Sequence, residues 1–314
     1  MAKQNDNSGR IDTARLTPAS RYRAVVALRD RDGSPLNAGD WLECLGDPER
    51  LLDNPDAVLK SDGVNTVILK DIRIAGHDIC VVIKSQRWSA DFRNALRSAI
   101  LPRSVRNFLM SARLHAAGIP VAYPLAAIFR RERLHITHDI FISAHIAGSC
   151  NLYEFLRDGL LPEDHRLKVR KQLALQTANL LAGLHRQGLY HRDAKSSNFL
   201  IQLNRDMPGG QSAGEEFPRV FLIDMDGIKP CFFRRRTRRL VSAAKLASTI
   251  LCHKSINQSD FLRTFTACEE DLGIDRETRR ADYRSVCSTA IAIRLLTMAN
   301  VAMEGRGEVT NTDE

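Results

Sequence analysis

Alternating apolar and polar positions dominate the chain between Val64 and Lys84. The segment VNTVILKDIRI is rich in β-branched residues and is followed, after a turn at Ala75–Asp78, by ICVVIK. Two such runs separated by a turn predict an antiparallel hairpin. Further apolar runs at Tyr123–Phe129 and His138–Ile146 predict two more strands, joined by a charged turn. The first half of the chain is therefore expected to contain an antiparallel sheet.

A second pattern, with apolar residues every three or four positions, marks the helices. It is strongest in His165–Gln187, where leucines recur at helical spacing and Gly188 ends the helix. Val220–Ile223 predicts a buried strand between helices. The other predicted helices are Ser89–Ile100, Arg103–Ala117, Asn151–Arg157, Arg238–Cys252, Asp260–Asp271 and a long one from about Glu277 to Met303.

Two lobes follow from these patterns. We expect an α+β fold with a small antiparallel-sheet lobe at residues 60–147 and a mainly helical lobe at residues 148–303. The small and polar residues of Ala147–Cys150 form a natural hinge between them.

The remaining segments are expected to lie outside these lobes. Residues 1–59 are predicted as an N-terminal extension, loosely ordered to about residue 40 and with a short helical segment over Trp41–Leu59 that Pro48 and Pro55 break. The polar segment Asn204–Pro218 predicts a flexible loop. Residues 304–314 are predicted as a disordered tail.

Composition narrows the class of protein. The 314 residues are 44% hydrophobic and 26% charged, which is ordinary for a globular protein with a sizeable core. No run of about 18 apolar residues occurs, and the polar N-terminus has no apolar stretch of the signal-peptide type. Seven scattered cysteines without C-x-x-C spacing argue against a disulfide framework or a structural zinc site. We therefore expect a cytoplasmic protein.

The net charge of +9 indicates an anionic partner, such as a nucleotide or the phosphate-rich face of a membrane. Aromatic residues make up only 6% of the chain and offer no stacking platform for bases, so no nucleic-acid partner is expected. His135 and His138 lack further ligands nearby in sequence and are interpreted as strand or loop residues. The sharpest local excess of charge is the arginine run, which comprises Arg234, Arg235, Arg236, Arg238 and Arg239.

Tyr190–Ile201 carries the candidate chemistry. It reads YHRDAKSSNFLI and places Asp193, Lys195 and Asn198 between two short apolar runs. Phosphoryl transfer uses such a set, because it needs a carboxylate beside the attacking hydroxyl, a cation near the moving phosphate and an oxygen ligand for Mg²⁺. A match to H-R-D-x-K-x-x-N requires five residue types to coincide. Asp193 is predicted to orient the acceptor hydroxyl and Lys195 to neutralise charge on the γ-phosphate.

A carboxylate pair follows the next predicted strand. Asp224 is the candidate Mg²⁺ ligand there, and Asn198 would supply a neutral oxygen to the same ion. Asp226 is either a second ligand or a structural carboxylate that caps the following turn. His191 and Arg192 are predicted to be structural, packing the loop and anchoring the segment after Asp224.

The nucleotide is expected to contact the sheet. Lys84 ends the apolar strand in VVIK, which is how kinases present the lysine that binds the α- and β-phosphates. The turn Lys60–Thr66 would then lie over the phosphates, with Gly63, Asn65 and Thr66 as candidate ATP-binding residues. It has one glycine instead of a G-x-G-x-x-G motif, so this signal is weak.

These motifs resemble the protein-kinase-like superfamily, and within it the bacterial lipopolysaccharide kinase family (Kdo and heptose kinases). VVIK is followed by SVRNFLMSARLHAAGIPVAYPLA, similar to that family's helix and G-I-P-x-x-x-P-L-A pattern, and HRDAKSSNFLI is followed by FLIDMD. The chain then ends in helices without an A-P-E segment. The resemblance covers about residues 60–270. It implies a two-lobed protein-kinase-like fold, ATP and Mg²⁺, and a sugar of the lipopolysaccharide inner core as acceptor.

One position departs from the superfamily pattern. The helix after the strand lysine usually offers a glutamate to pair with it, and the matching position here is about Asn107. No acidic residue lies between Arg93 and Glu132. Lys84 would then be held by Asn107, by a phosphate alone or by Asp224.

The favoured hypothesis is an ATP- and Mg²⁺-dependent kinase that phosphorylates a hydroxyl of a lipopolysaccharide inner-core sugar. The net positive charge and the arginine run favour a phosphorylated glycolipid acceptor. They also favour peripheral contact with the inner face of the cytoplasmic membrane. A Ser/Thr protein kinase and a non-catalytic, kinase-fold binding module are the alternatives.

Overall fold

In the computed structural model, the chain divides between Ala147 and Gly148 into two units. The structure describes residues 11–18, 21–88, 101–132, 135–158, 160, 166–202, 218–233, 235–253 and 256–309. The predicted helix Ser89–Ile100 and nearly all of the predicted loop Asn204–Pro218 lie outside these residues.

An antiparallel sheet of seven strands forms the first unit. In space the strands follow the order β1-β2-β6-β7-β5-β4-β3. In chain order they are β1 Thr13–Leu16, β2 Tyr22–Ala27, β3 Ala57–Ser61, β4 Asn65–Ile74, β5 His77–Arg87, β6 Pro124–Glu132 and β7 His135–Ala144. The described part of this unit also contains helix α1 Ala38–Cys44, a 3₁₀ turn at Arg50–Leu52 and helix α2 Arg103–Ala116.

The β4–β5 hairpin confirms the alternating pattern of the sequence. Its register pairs Val67 with Lys84 and Ile74 with His77. Ala75 and Gly76 join the strands with φ angles of 53° and 79°. Two successive positive φ angles are typical of a two-residue hairpin turn, so the turn is tighter than the predicted one.

The core of the first unit surrounds β6 and β7. Leu125, Ala126, Ala127 and Ile128 are all fully buried, which means that both faces of β6 are covered. Helix α2 packs on β6 and β7, while α1 packs against β4 and β1. Trp41 of α1 is fully buried, and its Nε1 donates a hydrogen bond of 2.7 Å to the carbonyl of Ala27.

The N-terminal segment differs from its prediction as a loosely ordered extension. Strands β1 and β2 lengthen the sheet beyond β6, and β2 buries Tyr22, Ala24, Val26 and Ala27. The helical segment predicted over Trp41–Leu59 also differs in its bounds. Helix α1 begins earlier, at Ala38, and ends at Cys44, a 3₁₀ turn follows at Arg50–Leu52, and β3 begins at Ala57. Short strands rich in alanine and arginine lack the β-branched signal that marks β4 and β5.

Helices dominate the second unit. Its α-helices are α3 Leu152–Arg157, α4 Arg166–Arg186, α5 Arg235–Ile250, α6 Gln258–Asp271 and α7 Arg276–Val309. Short strands form two small antiparallel sheets, ordered β11-β10-β8 and β12-β9. These strands are β8 Ser149–Asn151, β9 Leu189–His191, β10 Phe199–Gln202, β11 Arg219–Leu222 and β12 Ile228–Pro230.

Helices α4 and α6 pack together, as do α5 and α7. The Tyr283 ring of α7 packs at tilted angles against Phe261 and Phe265 of α6, with centroid distances of 6.0 and 5.7 Å. At the junction of α5, α6 and α7, Arg239 lies 2.6 Å from Glu269 and 3.2 Å from Asp282. Both carboxylates are 1% exposed. Buried charges need such partners, because an unpaired charge in the interior carries a large desolvation cost.

The C-terminal helix is longer than predicted. Residues expected to begin a disordered tail at 304 continue α7 to Val309. No helix in the described residues is long and apolar enough to span a membrane.

Candidate active site

The candidate catalytic loop begins where β9 ends. Strand β9 pairs with β12, so that His191 lies opposite Ile228. The N–H of Arg192 donates to the carbonyl of Gly227 at 2.7 Å, and the Arg192 side chain is exposed. The loop and the turn after Asp224 are thus joined by backbone hydrogen bonds at their bases.

His191 is fully buried beneath this loop. Its Nδ1 accepts a hydrogen bond from the N–H of Asp193, and its Nε2 lies 3.2 Å from the carbonyl of Asp224. A carbonyl only accepts, so Nε2 carries the proton and the ring is neutral. Burial lowers the pKa of His191, against the opposing charge of Asp224. His191 therefore links the two segments that carry the predicted catalytic and metal-binding groups.

Gly227 makes room for the His191 ring. A Cβ at this position would lie 2.5 Å from Cε1 of His191. No side chain fits at that distance, so a glycine is required by packing at this point of the turn.

Two lysines flank the carboxylate of Asp193. Lys195 Nζ lies 3.1 Å from Oδ2, and Lys245 Nζ lies 3.6 Å from Oδ1. Partial burial raises the pKa of Asp193, but the hydrogen bond from Lys195 and the charges of both lysines outweigh it, so the pKa lies below its usual value. The Asp193 side chain is 39% exposed, so solvent reaches the carboxylate.

Asn198 and Asp224 lie at the adjoining strand ends. The N–H of Ile223 donates to the carbonyl of Asn198 at 3.0 Å, which joins their backbones. Asn198 is buried and its Nδ2 donates to the carbonyl of Asp193 at 2.7 Å. With the amide nitrogen committed in this way, Oδ1 is the atom that can ligate a cation. Asp224 has φ 62° and ψ 62°, a left-handed conformation that few residues other than glycine, asparagine and aspartate adopt.

This donor set fits Mg²⁺ bound together with a nucleotide. Mg²⁺ prefers oxygen ligands and is usually held by one or two carboxylates, with phosphates and waters completing the shell. Among the residues that the structure describes, no group of three or more His, Cys, Asp or Glu side chains forms a complete metal site. Asp226 lies in the 3₁₀ turn Met225–Gly227 that follows Asp224.

Helix α5 holds the loop through residues that sequence reasoning missed. Ser242 Oγ donates to the carbonyl of His191 at 2.8 Å, and Thr249 Oγ1 accepts from the N–H of Ser196 at 2.9 Å. Lys245 lies between them on the same helix. Their spacing of three and four places them on one helical face. That spacing was visible in the sequence, but nothing there indicated that this face meets the catalytic loop.

In the first unit, Lys84 points to the sheet face that carries the first turn of α2. It alternates with the buried Ile83 and shares its face with Gln86, whose Oε1 accepts from Arg103 of α2 at 2.7 Å. On the paired strand, the buried carboxylate of Asp139 accepts from the N–H of Ser104 at 3.0 Å. Asp139 thereby caps α2 from the sheet, and burial raises its pKa against these hydrogen bonds.

Asn107 lies one turn further along α2 and is 9% exposed. It therefore belongs to the buried face of α2.

The turn between β3 and β4 is closed by its own aspartate. Asp62 Oδ1 accepts from the N–H of Asn65 at 2.7 Å, and both carboxylate oxygens accept from Asn65 Nδ2 at 3.1 Å. These hydrogen bonds lower the pKa of Asp62. Gly63 has φ 76°, and Thr66 lies in the β4 ladder opposite Ser61 and Ser85. Two donors predicted to face phosphate are thus occupied by a carboxylate.

The arginine run is divided between several roles. Arg239 and Arg236 pair with buried carboxylates, Arg236 at 2.5 Å from Asp282. The Arg238 guanidinium lies 5.2 Å from the centroid of the Tyr190 ring. Arg234 lies outside the described residues. Much of the run therefore stabilises the helical unit.

The chain has a fold of the protein-kinase-like class. A solved structure of WaaP in complex with acyl carrier protein is similar to this chain, with a TM-score of 0.52 and 18% identity over 81% of this chain and 97% of that one. The kinase domain of Mycobacterium tuberculosis PknI is also similar, with a TM-score of 0.41 and 13% identity over 75% and 95% of the two chains. No curated protein sequence matches the chain.

The family model of the lipopolysaccharide kinase (Kdo/WaaP) family matches residues 83–262, which is more than half of the chain. The chain belongs to this family. Because it is a family of kinases, the protein is a phosphotransferase, as the sequence resemblance implied.

Proposed function

We propose that the protein is an ATP- and Mg²⁺-dependent kinase that phosphorylates a hydroxyl on a sugar of the lipopolysaccharide inner core, heptose or Kdo. The observation that carries this proposal is the position of Asp193, between Lys195 and Lys245 and hydrogen-bonded through its backbone to Asn198. A carboxylate in this setting is ionised, exposed and fixed, as a group that orients a hydroxyl must be.

The residues have distinct roles in this proposal. Asp193 aligns the acceptor hydroxyl and takes its proton late in transfer. Lys195 offsets the charge on the γ-phosphate, and Lys84 that on the α- and β-phosphates. Asn198 and Asp224 hold Mg²⁺, which when bound neutralises phosphate charge and orients the nucleotide. Gly63, Asn65 and Thr66 stay candidates for the nucleotide turn.

Three residues support the loop. His191 and the backbone of Arg192 fix it against the segment after Asp224, and Asn107 takes the place of the helix glutamate. Asp226 is either a second Mg²⁺ ligand or a turn carboxylate. An Asp226→Asn variant whose Mg²⁺ requirement rises would favour the first role, and one that only loses thermal stability the second.

The acceptor assignment rests on the family and on the charge of the chain. The family to which the chain belongs is named for lipopolysaccharide kinases. A net charge of +9 favours an anionic acceptor such as a phosphorylated glycolipid. We place the enzyme in the cytoplasm, with peripheral contact at the inner membrane face where such a glycolipid is accessible.

The test is phosphate transfer from ATP to core glycolipid, followed by mass spectrometry of the acceptor. The wild type should add one phosphate in the presence of Mg²⁺, and Asp193→Asn should lower the rate by at least about 100-fold. Asp78→Asn, an exposed change at the far end of the β4–β5 hairpin, is the control and should retain the rate.

Absence of any mass gain with the wild type would refute the acceptor assignment. Autophosphorylation on Ser or Thr would instead favour a protein kinase. If Mg²⁺ and ATP change the melting temperature of neither the wild type nor Asp224→Asn, the protein would instead be a non-catalytic binding module.

A further inference from the structure

Two adjacent phenylalanines are almost fully exposed directly after β12. Phe232 is 77% exposed and Phe233 86% exposed, the largest fractions among the large hydrophobic side chains of the described residues. Side chains of this size normally contribute to a core, and leaving two of them side by side in water is costly. The exposure of these two rings therefore indicates a surface that binds a partner.

The backbone beneath these rings is anchored. The N–H of Cys231 donates to the carbonyl of Gly188 at 2.7 Å, and its buried thiol contacts the carbonyl of Phe233 at 3.7 Å. Helix α5 begins at Arg235. On the strand side, the backbone that carries the two rings is thus fixed by the contacts of Cys231.

The surroundings of the rings are strongly basic. No acidic residue occurs in the sequence between Asp226 and Asp260. Arg235 and Arg238, both exposed, lie in the first turn of α5. Cations at a helix N-terminus oppose the helix dipole, so the dipole does not account for their position. Arg238 also lies over the Tyr190 ring, which keeps its guanidinium at the surface. We define Phe232, Phe233, Arg235 and Arg238 as the aromatic–arginine patch.

We propose that the aromatic–arginine patch is a docking surface for a lipid bilayer with anionic headgroups. Aromatic rings insert at the boundary between headgroups and acyl chains, and basic residues beside them bind the anionic surface. The charge of the patch and its two apolar rings match both components of such a surface. A protein partner would need an interface of roughly 1,000 Å² or more, far beyond two rings and two arginines.

Docking at this patch would position the catalytic loop over the membrane. The patch joins β12, which pairs with β9 at the base of the loop, to α5, which carries Ser242, Lys245 and Thr249. The inference thus adds a membrane anchor to the proposed function. Its test requires no ATP and no acceptor, so a failure of vesicle binding can be distinguished from a failure of phosphate transfer.

The experiment is co-sedimentation of the full chain with vesicles of phosphatidylcholine, with and without phosphatidylglycerol. The wild type should bind the anionic vesicles, and less at high salt. The double variant Phe232→Ser, Phe233→Ser should bind at least about tenfold more weakly, because binding strength follows the buried apolar area. Arg235→Gln with Arg238→Gln should remove the preference for anionic vesicles.

A matched control replaces Val58 and Leu59 by serine, since they are 59% and 58% exposed on the edge strand β3. It should bind vesicles like the wild type, and thermal unfolding should show all variants folded. A wild type that ignores anionic vesicles, or a double phenylalanine variant that binds them fully, would overturn the proposal. Loss of self-association in that variant, without loss of vesicle binding, would assign the patch to a second copy of the chain.

Discussion

The two stretches predicted to handle phosphate are built in opposite ways. The candidate catalytic loop is held against its neighbours by the His191 ring, by the backbone hydrogen bond from Arg192 to Gly227, and by Ser242 and Thr249 of α5. The turn between β3 and β4 makes its main hydrogen bonds internally, from Asn65 to Asp62. One is a fixed part of its unit, and the other is an exposed and self-contained turn.

The difference shows what a strong sequence motif encodes. In the candidate catalytic loop, residues of the motif bind one another: His191 accepts from the N–H of Asp193, and Asn198 donates to the Asp193 carbonyl. These hydrogen bonds hold the Asp193 carboxylate and the Asn198 Oδ1 in fixed positions. In the β3–β4 turn, the Asp62 carboxylate accepts hydrogen bonds from Asn65, whereas the N–H groups of a glycine-rich loop would donate to phosphate. We therefore expect changes in the loop to be severe and changes in the turn to be mild.

Among changes that leave the Asp193 carboxylate in place, Gly227→Ala should have the largest effect. The added Cβ would lie 2.5 Å from Cε1 of His191, so the ring must move and release the N–H of Asp193. We expect a loss of about 1–3 kcal/mol in the free energy of unfolding and at least about a tenfold loss of phosphate transfer. Denaturant titration and initial rates measure the two effects. In the denaturant titration, Gly63→Ala, where no atom lies within 4 Å, is the comparison and should show only the strain of its φ of 76°.

The buried histidine of the sheet should make the first unit sensitive to acid. His138 contacts Tyr22 and Ser85, and burial lowers its pKa to about 4. An unfolded histidine titrates near 6.5, so the unfolded state binds the extra proton as the pH falls. The contribution of neutral, buried His138 to the free energy of unfolding is complete above about pH 6.5 and is lost as the pH falls towards 4. Between pH 7 and pH 5 the loss is about 2 kcal/mol.

Urea unfolding at the two pH values measures this loss. His138→Gln should be less stable at pH 7 and show a smaller difference between the two pH values. An unchanged difference would mean that other buried histidines, such as His185, dominate.

Lys245→Met should reduce kcat by about tenfold with little change in the KM for ATP. It removes one of the two cations that hold the Asp193 carboxylate, while Ser242 and Thr249 keep their contacts. Lys245→Arg should restore most of the rate. Lys171→Met, an exposed lysine of α4, is the control. A variant as fast as the wild type would show that Lys195 alone is sufficient.

Asp62→Asn should have the smallest effect and the opposite direction. If the turn lies over the phosphates, removing its charge should lower the KM for ATP by about two- to threefold. Asp78→Asn removes a charge at the other end of the hairpin and should leave the KM unchanged. Equal KM values in both variants would place the phosphates away from Gly63, Asn65 and Thr66.

The sequence predicted the long elements well. The β4–β5 hairpin, α2 and α4 lie within a few residues of their predicted bounds, because each has a sustained period of two or about 3.6 residues. Strands β8, β9 and β12 were missed, since three residues carry no periodicity. Strand β2 was missed because its burial depends on pairing with the distant β6, and β1 because it is a four-residue strand that pairs, among the described strands, only with β2.

The site was predictable where its chemistry is local in sequence. Asp193, Lys195 and Asn198 lie within six residues, and their motif carries the information. Lys245 and Gly227 depend on how α5 and the turn before β12 pack on that loop, which no local pattern encodes. The charge of the arginine run was visible, but its pairing with Glu269 and Asp282 required the fold.

Asp224 shows how backbone conformation limits the choice of probes. Alanine at this position would remove a carboxylate and also strain a backbone with φ of 62°, so a dead variant would not distinguish the two causes. Asparagine tolerates the same conformation and removes only the charge, whereas glycine relaxes the backbone and removes the side chain. A comparison of the Ala, Asn and Gly variants of Asp224 therefore separates the effect of the lost charge from the effect of backbone strain.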